Sequence, residues 1–423
     1  MTGTPGTILI LGGRPHAVRK ATELGLRVVW LQHRKLVAAA DAQLADAVIM
    51  LNFRDWGTTL PLVRAAHQAF GFSRVMTQID QALELTGRIN DEFGLPGISR
   101  AGAHRFRDKL AMRAWLRAAG FEDVAAEPVD GAAALDRFGA RHGYPFVLKP
   151  TDGTGSRGVI RVDGPDGTGA AWRAAARLRD RGDLPFAGYY PVRDFLAERY
   201  LDGPEYSVEA FSFGGRHSLI AITSKSWAGF VEMGHALPAV LTAGDEQAIV
   251  RHVTAFLDVM GLRDGASHTE LKLTPEGPRI VEGHARVAGG RVMDLVRAGY
   301  GIDLERYAVG WPFGLVPELP GRPVPHGAAA TAFLSAEPGT VVAVEGADEV
   351  RARPGVLDLE LEVAVGQTVP EVTDNFCRPG QVLVTAADAT AAAELAEILA
   401  RKVRIVTRPT ADAGPATAGE AGR

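Results

Sequence analysis

Short apolar runs alternate with helix-patterned stretches through the first eighty residues, and that alternation leaves few folds open to the chain. Thr7-Ile-Leu-Ile-Leu runs into Gly12-Gly13 and reads as a buried strand ending in a tight turn. His16–Leu24 reads as a helix closed by Gly25, and Arg27–Leu31 as a second strand. Strand, helix and strand in that order form a βαβ unit, whose crossover helix brings the chain back to lay the second strand parallel to the first. Ala47–Leu51 and Arg74–Thr77 continue the pattern, so residues 1–100 are expected to form a small open parallel α/β domain. The glycine pair lacks the G-x-G-x-x-G spacing of a dinucleotide site, and Pro15 stands where the helix begins; a plain strand-to-helix turn is favoured.

Leu95-Pro-Gly-Ile-Ser reads as a linker, followed by an amphipathic helix over Lys109–Ala119 with Gly120 as its cap. A central region is expected over 101–310, with a smaller lobe of short strands and a glycine-rich loop at about 125–200. The Pro-rich stretch Val316–Pro325 opens a C-terminal α+β domain, 311–408, carrying one Ala-rich helix at Ala389–Leu399. Residues 409–423 read as a disordered tail, and no internal repeat is visible. The fold class is thus mixed α/β and α+β, in three domains.

Composition narrows the function. With 46 Lys and Arg against 50 Asp and Glu, the net charge of −4 gives no basic excess for nucleic acid. No apolar run approaches the roughly 18 residues of a membrane helix, and the N-terminus lacks the layout of a signal peptide. The single Cys377 excludes a disulfide framework and a multi-cysteine metal site, which makes the cytoplasm the simplest compartment. Cys377 has no identifiable base, and His16, His33 and His217 no identifiable partner; all four read as structural.

Three segments carry chemistry. In Thr269–Arg286, two alternating runs flank the turn residues Thr-Pro-Glu-Gly. Paired antiparallel about Glu276, they set Glu270 opposite Glu282, roughly 5 Å apart at Cβ. Two carboxylates that close repel unless a cation lies between them, and oxygen ligands on a rigid scaffold suit Mg²⁺ with phosphate oxygens from a substrate. Glu282, His284 and Arg286 share one face, which puts an arginine beside the metal for a phosphoryl oxygen. The alternative is a solvated hairpin. In the second segment, the strand Phe146–Pro150 delivers Lys149, and Thr151–Gly158 follows with three glycines able to bring backbone N–H groups to phosphate. No Gly-Lys-Ser/Thr closes this loop, so it is not a Walker A loop, and a plain hairpin tip is its alternative. In the third, Glu198-Arg199-Tyr200-Leu201 and Glu205 place two carboxylates seven residues apart around a turn, suited to an adenine amino group and ribose hydroxyls; exposed acids on a turn are the alternative.

Taken in order, Lys109, Lys149, the glycine loop, Glu198–Glu205, Glu270 and Glu282–Arg286 resemble the ATP-grasp superfamily over roughly residues 5 to 310. The resemblance implies a nucleotide clamped between two α+β lobes. It implies Lys109 and Lys149 on the phosphates, the loop with Gly155, Ser156 and Gly158 closing over ATP, and adenine and ribose contacts from Glu198, Arg199, Tyr200, Leu201 and Glu205. It also implies Mg²⁺, with Mn²⁺ a possible substitute, on Glu270 and Glu282. His284 stands where the superfamily prefers Asn and is the less typical third ligand. His268-Thr-Glu-Leu-Lys-Leu, Val231–Ala239 and Glu282-x-x-x-Arg286-x-Ala-Gly look like the L-amino acid ligases, which make dipeptides and related amides. In that branch the segment with Glu232 and His235 lines the acceptor end. Gly289 and Gly290, just beyond Arg286, leave room for a bulky acid or else serve a backbone turn. The function this implies is an ATP-dependent carboxylate–amine ligase acting on small acids and amines through an acylphosphate, with Lys149, Arg286, Glu232 and His235 at the reaction and a homodimer as a family-level expectation. The competing readings are a carboxylase of the biotin-dependent or carbamoyl-phosphate type, against which the lack of a Met-Lys biotin site counts, and a regulatory module that binds nucleotide without turnover.

Overall fold

The computed structural model describes residues 6–53, 55–179, 192–319 and 321–409. The expected tail therefore lies, apart from residue 409, outside the described residues. Strands β1 (Thr7–Leu11), β2 (Arg27–Gln32), β3 (Ala47–Met50) and β4 (Arg74–Thr77) form a parallel sheet in the order β3-β2-β1-β4. Its alternation of strands with helices Pro15–Glu23 and Trp56–Phe70 is the arrangement the apolar periodicity predicts. The Gly12-Gly13 turn is tied down by Trp30 Nε1, 3.0 Å from Gly12 O, and Gln32 Nε2, 2.7 Å from Gly13 O. Gly12 has φ +60°, and a Cβ there would lie 2.4 Å from Ile79, so the turn packs directly against the chain leaving β4.

The small lobe is an antiparallel sheet of β5 (Ala126–Val129), β6 (Phe146–Pro150), β7 (Ile160–Val162) and β8 (Phe195–Arg199), ordered β5-β8-β6-β7. Helices Ala132–His142 and Thr168–Arg179 supply the rest of its core, which centres on Phe138, Phe146 and Phe195.

The large sheet runs through β9 (Glu205–Phe213), β10 (Arg216–Ala228), β11 (Val231–Leu237), β12 (Gly265–Thr274) and β13 (Gly277–His284). It does not stop at the Pro-rich stretch. In the C-terminal region, β14 (Ala328–Phe333) pairs with β11 and continues the sheet; β15 (Gly339–Glu345), β16 (Val356–Leu361), β17 (Thr368–Val369), β18 (Gly380–Ala386) and β19 (Arg404–Arg408) follow. The eight-stranded order is β13-β12-β9-β10-β11-β14-β18-β16, while β17-β15-β19 form a separate small sheet. The reason lies in β14, Ala-Ala-Ala-Thr-Ala-Phe: Ala328, Ala330 and Ala332 join the core of helix Ala389–Lys402, whereas Ala329 joins that of helix Val292–Tyr300. Small side chains on both faces let a helix approach from each side, and covering the edge of β11 satisfies its backbone. No helix among the described residues is long and apolar enough to cross a membrane.

Candidate active site

Between the small lobe and the large sheet lies a solvent-open cleft with about 760 Å³ of space, the open solvent at its mouth included. Lys109 and Lys149, Gly153, Thr154, Ser156 and Arg157, Glu198 through Leu201, Glu205, Glu270 and Glu282 all line it.

The paired carboxylates depend on a bulge. The two-residue turn gives the register Thr274↔Gly277 and Leu271↔Ile280, which by itself would set Glu270 opposite Val281. The register shifts between Glu270 and Leu271, so Glu270 instead faces Glu282. The expected centre at Glu276 is therefore met only beyond the bulge. Arg113 holds the irregularity, its Nη2 lying 2.7 Å from Ile280 O and 3.2 Å from Val281 O. Glu122 accepts the Ile280 N–H at 3.0 Å.

Glu270, Glu282 and His284 each offer a ligand atom, all within 4.8 Å of one another. Lys109 Nζ reaches Glu282 at 2.7 Å and donates to Gly153 O at 2.8 Å. Asp108 caps the helix Lys109–Ala118 by accepting from Ala111 N, which fixes the first turn from which Lys109 projects. Burial works against the Glu282 charge, but Lys109 and His284 outweigh it and hold the carboxyl well below its usual range. His284 Nδ1 sits 3.0 Å from Asp80 Oδ1; a carboxylate there makes Nδ1 the protonated nitrogen and turns Nε2, 3.4 Å from Glu282 Oε1, towards the carboxylate pair. Asp80 also takes the fork of Arg286, with Nε 2.8 Å from Oδ1 and Nη2 2.5 Å from Oδ2. Arg286, two residues past the end of β13, has Nη2 3.3 Å from His284 Nδ1, and its guanidinium is held by Asp80 from the chain after β4.

Lys225 was missed by sequence reasoning. It is buried on β10, with Nζ 2.8 Å from Glu232, 2.8 Å from Glu270 and 3.5 Å from Glu205. Burial disfavours its charge, yet the three carboxylates outweigh burial and raise its pKa well above normal. Burial pushes Glu205 up to about 7, only partly offset by Lys225. For Glu270 the opposing effect of burial is overcome, Lys225 first, and its pKa falls. His268 bridges Glu209 at 2.7 Å and Glu270 at 3.0 Å; burial is outweighed by Glu209, and its pKa rises to about 9.

Glu198 lines the cleft, but both its oxygens are engaged: Arg113 Nε at 2.7 Å and Lys149 Nζ at 2.6 Å. Burial is overcome by Arg113 and Lys149, and the carboxyl falls to about 2. Its side chain therefore holds Lys149 in place and is not the open acceptor that the turn reading suggests. Burial lowers the Lys149 pKa. Tyr200 is flanked by Arg161 and Lys272, and Leu201 is buried.

The glycine loop faces the cleft through Gly153, Thr154, Ser156 and Arg157, with Ser156 itself at φ +60°. Gly155 turns elsewhere: a Cβ on it would lie 2.7 Å from Phe376, and Gly158 packs on Pro150 and Leu178. On the far side, Glu232 is bound by Lys225 and Asn375. His235 is buried, neither ring nitrogen has a hydrogen-bond partner, and burial lowers its pKa to about 4. Gly290, at φ +56°, faces His235 Nε2, while nothing lies within 4 Å of a Cβ on Gly289.

Comparison with known proteins gives three domain matches: an ATP-grasp N-terminal domain over 18–97, an ATP-grasp domain over 142–294, and the L-amino acid ligase C-terminal domain 2 over 332–408. Human carnosine synthase 1 is 31% identical over 261 residues, covering 59% of this chain and 31% of that protein. The alanine–anticapsin ligase of Bacillus subtilis (strain 168) is 27% identical over 256 residues, covering 56% and 53%. The chain thus spans about a third and about half of the length of these two relatives. The crystal structure of an L-amino acid ligase from Bacillus licheniformis superposes with a TM-score of 0.82 at 23% identity, over 96% of this chain and all of the other.

Proposed function

We propose that this chain, which belongs to the ATP-grasp superfamily, is an ATP-dependent carboxylate–amine ligase that joins a small acid, such as an amino acid, to an amine. The observation that carries the reading is one cleft in which two lysines and a glycine loop face a pair of carboxylates. The names of the similar proteins, an anticapsin ligase, a carnosine synthase and an L-amino acid ligase, support amide formation as the outcome.

In this reading the substrate carboxylate attacks the γ-phosphorus of ATP, the bond to the β-phosphate oxygen breaks, and ADP leaves. Lys109 and Lys149 bind the phosphates, and Glu198 with Arg113 keeps Lys149 aimed. Arg286, held by Asp80, stands next to the acid. The residues present fit a divalent cation: two facing carboxylates, an imidazole whose outer nitrogen is fixed by Asp80, and a lysine ammonium already seated on Glu282. Glu270 and Glu282 would hold Mg²⁺, with His284 as third donor, and the ion supplies charge neutralisation at the transferring phosphoryl group. Mn²⁺ is an acceptable substitute. The acylphosphate is then attacked by the amine at its acyl carbon, and phosphate leaves. The glycine loop, as a cover, keeps water from the acylphosphate. Glu232 and His235 line the amine end, where burial keeps the imidazole neutral and able to accept a hydrogen bond from the amine, though with its pKa lowered to about 4 it is a weak base. The cytoplasm and a homodimer complete the proposal.

The test is a pairwise matrix of amino acids with ATP and Mg²⁺, read by phosphate release and product mass. Turnover that requires both an acid and an amine is the expected result. Turnover that requires bicarbonate instead makes the protein a carboxylase, and no release with any pair makes it a nucleotide-binding module; either overturns the ligase reading.

A further inference from the structure

A short turn in the C-terminal region, Asp374–Arg378, touches both ends of the cleft. At one end it grips the glycine loop. Arg157 Nε lies 2.6 Å from Asp374 Oδ2, with both side chains buried at 3% and 4% exposure. The Asn375 N–H donates to Gly155 O at 3.0 Å. The Arg157 guanidinium stacks 4.7 Å from the centre of the Phe376 ring, and that ring fills the space a side chain at Gly155 would need.

At the other end the same turn grips Glu232. Asn375 Nδ2 donates to Glu232 Oε2 at 2.9 Å, and Asn375 Oδ1 accepts the Glu232 N–H at 3.0 Å. Arg378 lies 3.5 Å over the Phe333 ring, donates through Nη1 to Glu232 O at 2.9 Å, and closes the turn through Nε to Asn375 O at 2.9 Å. From Glu232 the ionic contacts continue to Lys225 and on to Glu270.

We propose that Asp374–Arg378 is a positioning strap that couples closure of the glycine loop to order at Glu232, so that each end favours the arranged state of the other. Such coupling is reciprocal by thermodynamic necessity. It would close the cover most firmly when the amine end is arranged, and so protect the acylphosphate when the attacking group is ready. That benefit rests on the ligase reading; the coupling itself does not.

The division of labour within Asn375 makes the coupling testable. Its backbone N–H meets the glycine loop, whereas its side chain bonds Glu232. Trypsin cleavage between Arg157 and Gly158, followed by mass spectrometry of the fragments, reports opening of the loop. Asp374→Ala removes a buried partner of Arg157 and should accelerate this cut about tenfold or more at a temperature well below the variant's own thermal midpoint. Asn375→Ala perturbs only the Glu232 end, yet should accelerate the same cut about threefold or more, and Asn375→Asp, which sets a carboxylate against Glu232, should exceed it. If Asp374→Ala does not fold, Asp374→Asn carries the same test with the shape kept. Wild-type cleavage in both Asn375 variants overturns the coupling, and wild-type cleavage in the Asp374 variants overturns the grip on the loop. Neither outcome involves turnover, so failure of the strap is distinct from failure of the ligase reading.

Discussion

Lys225→Met removes one ammonium from among three carboxylates while keeping an unbranched side chain of similar length. At an effective dielectric of about 20, each contact at 2.8 Å, to Glu232 and to Glu270, is worth about 6 kcal/mol before desolvation, and the one at 3.5 Å to Glu205 about 5. Most of that gain is offset by the cost of burying the charges. What remains when one partner alone is deleted is about 3–5 kcal/mol, because the orphaned carboxylates stay buried and repel one another. For a chain this long unfolding cooperatively, that lowers Tm by about 3–6 °C. The pH dependence has a definite sign. Without Lys225 the three carboxyl groups are pushed above their unfolded pKa values, so the folded state binds more protons than the unfolded one. The variant is then least penalised at acidic pH, and the deficit grows as pH rises through the raised values. His268, with its pKa near 9, remains beside Glu270, while Lys272 stays 4.0 Å from Glu205 and Arg378 3.8 Å from Glu232. The assay is thermal unfolding in chelator at pH 5, 6, 7 and 8. A Tm within about 1 °C of wild type at pH 8, or a deficit that shrinks as pH rises, would refute the reasoning.

Glu282→Gln keeps the shape and removes a charge facing Glu270; kcat should fall about a thousandfold or more with the fold intact, and near-normal kcat would sink the metal assignment. Gly290→Trp puts a Cβ at ordinary contact distances of 3.6 and 3.8 Å from His235 Nε2 and Phe333, with the indole beyond it, at φ +56°. The variant should lose about 1–2 kcal/mol of stability, fold, and shift preference towards small substrates by tens to hundreds in kcat/KM. A stable variant with an unchanged substrate profile would remove Gly290 from the pocket.

Local pattern made the framework legible. Parallel order in the first sheet follows from helices between strands, and the face-to-face glutamates follow from two alternating runs about a turn. The bulge at Val281 is not legible locally because the residues that stabilise it, Arg113 in the helix Lys109–Ala118 and Glu122 in the chain after it, lie far away in sequence, and nothing in the hairpin marks the extra residue. Asp80 and His284 are 204 positions apart, and no spacing rule connects a 3₁₀ turn after a parallel strand to an antiparallel hairpin. Lys225 left a fainter trace, a lysine three residues beyond the apolar run Leu219–Ile222 of its strand. Only the pairing of β10 with β9 and β11, and of β9 with β12, brings three glutamates around it. The continuous sheet was hidden for a related reason. The Pro-rich stretch marks a break in the chain's local pattern, but sheet continuity is decided by which edge needs covering, and β14 covers β11 because its alanines admit helices on both sides. That placement is also what brings the turn after β17 within reach of the glycine loop. A C-terminal region detached at the Pro-rich stretch would leave Arg157, Gly155 and Glu232 without Asp374 and Asn375. The groups that chemistry requires can therefore be read from motifs, whereas the groups that aim them come from contacts between strands far apart in sequence, and those contacts exist only once the sheet is built.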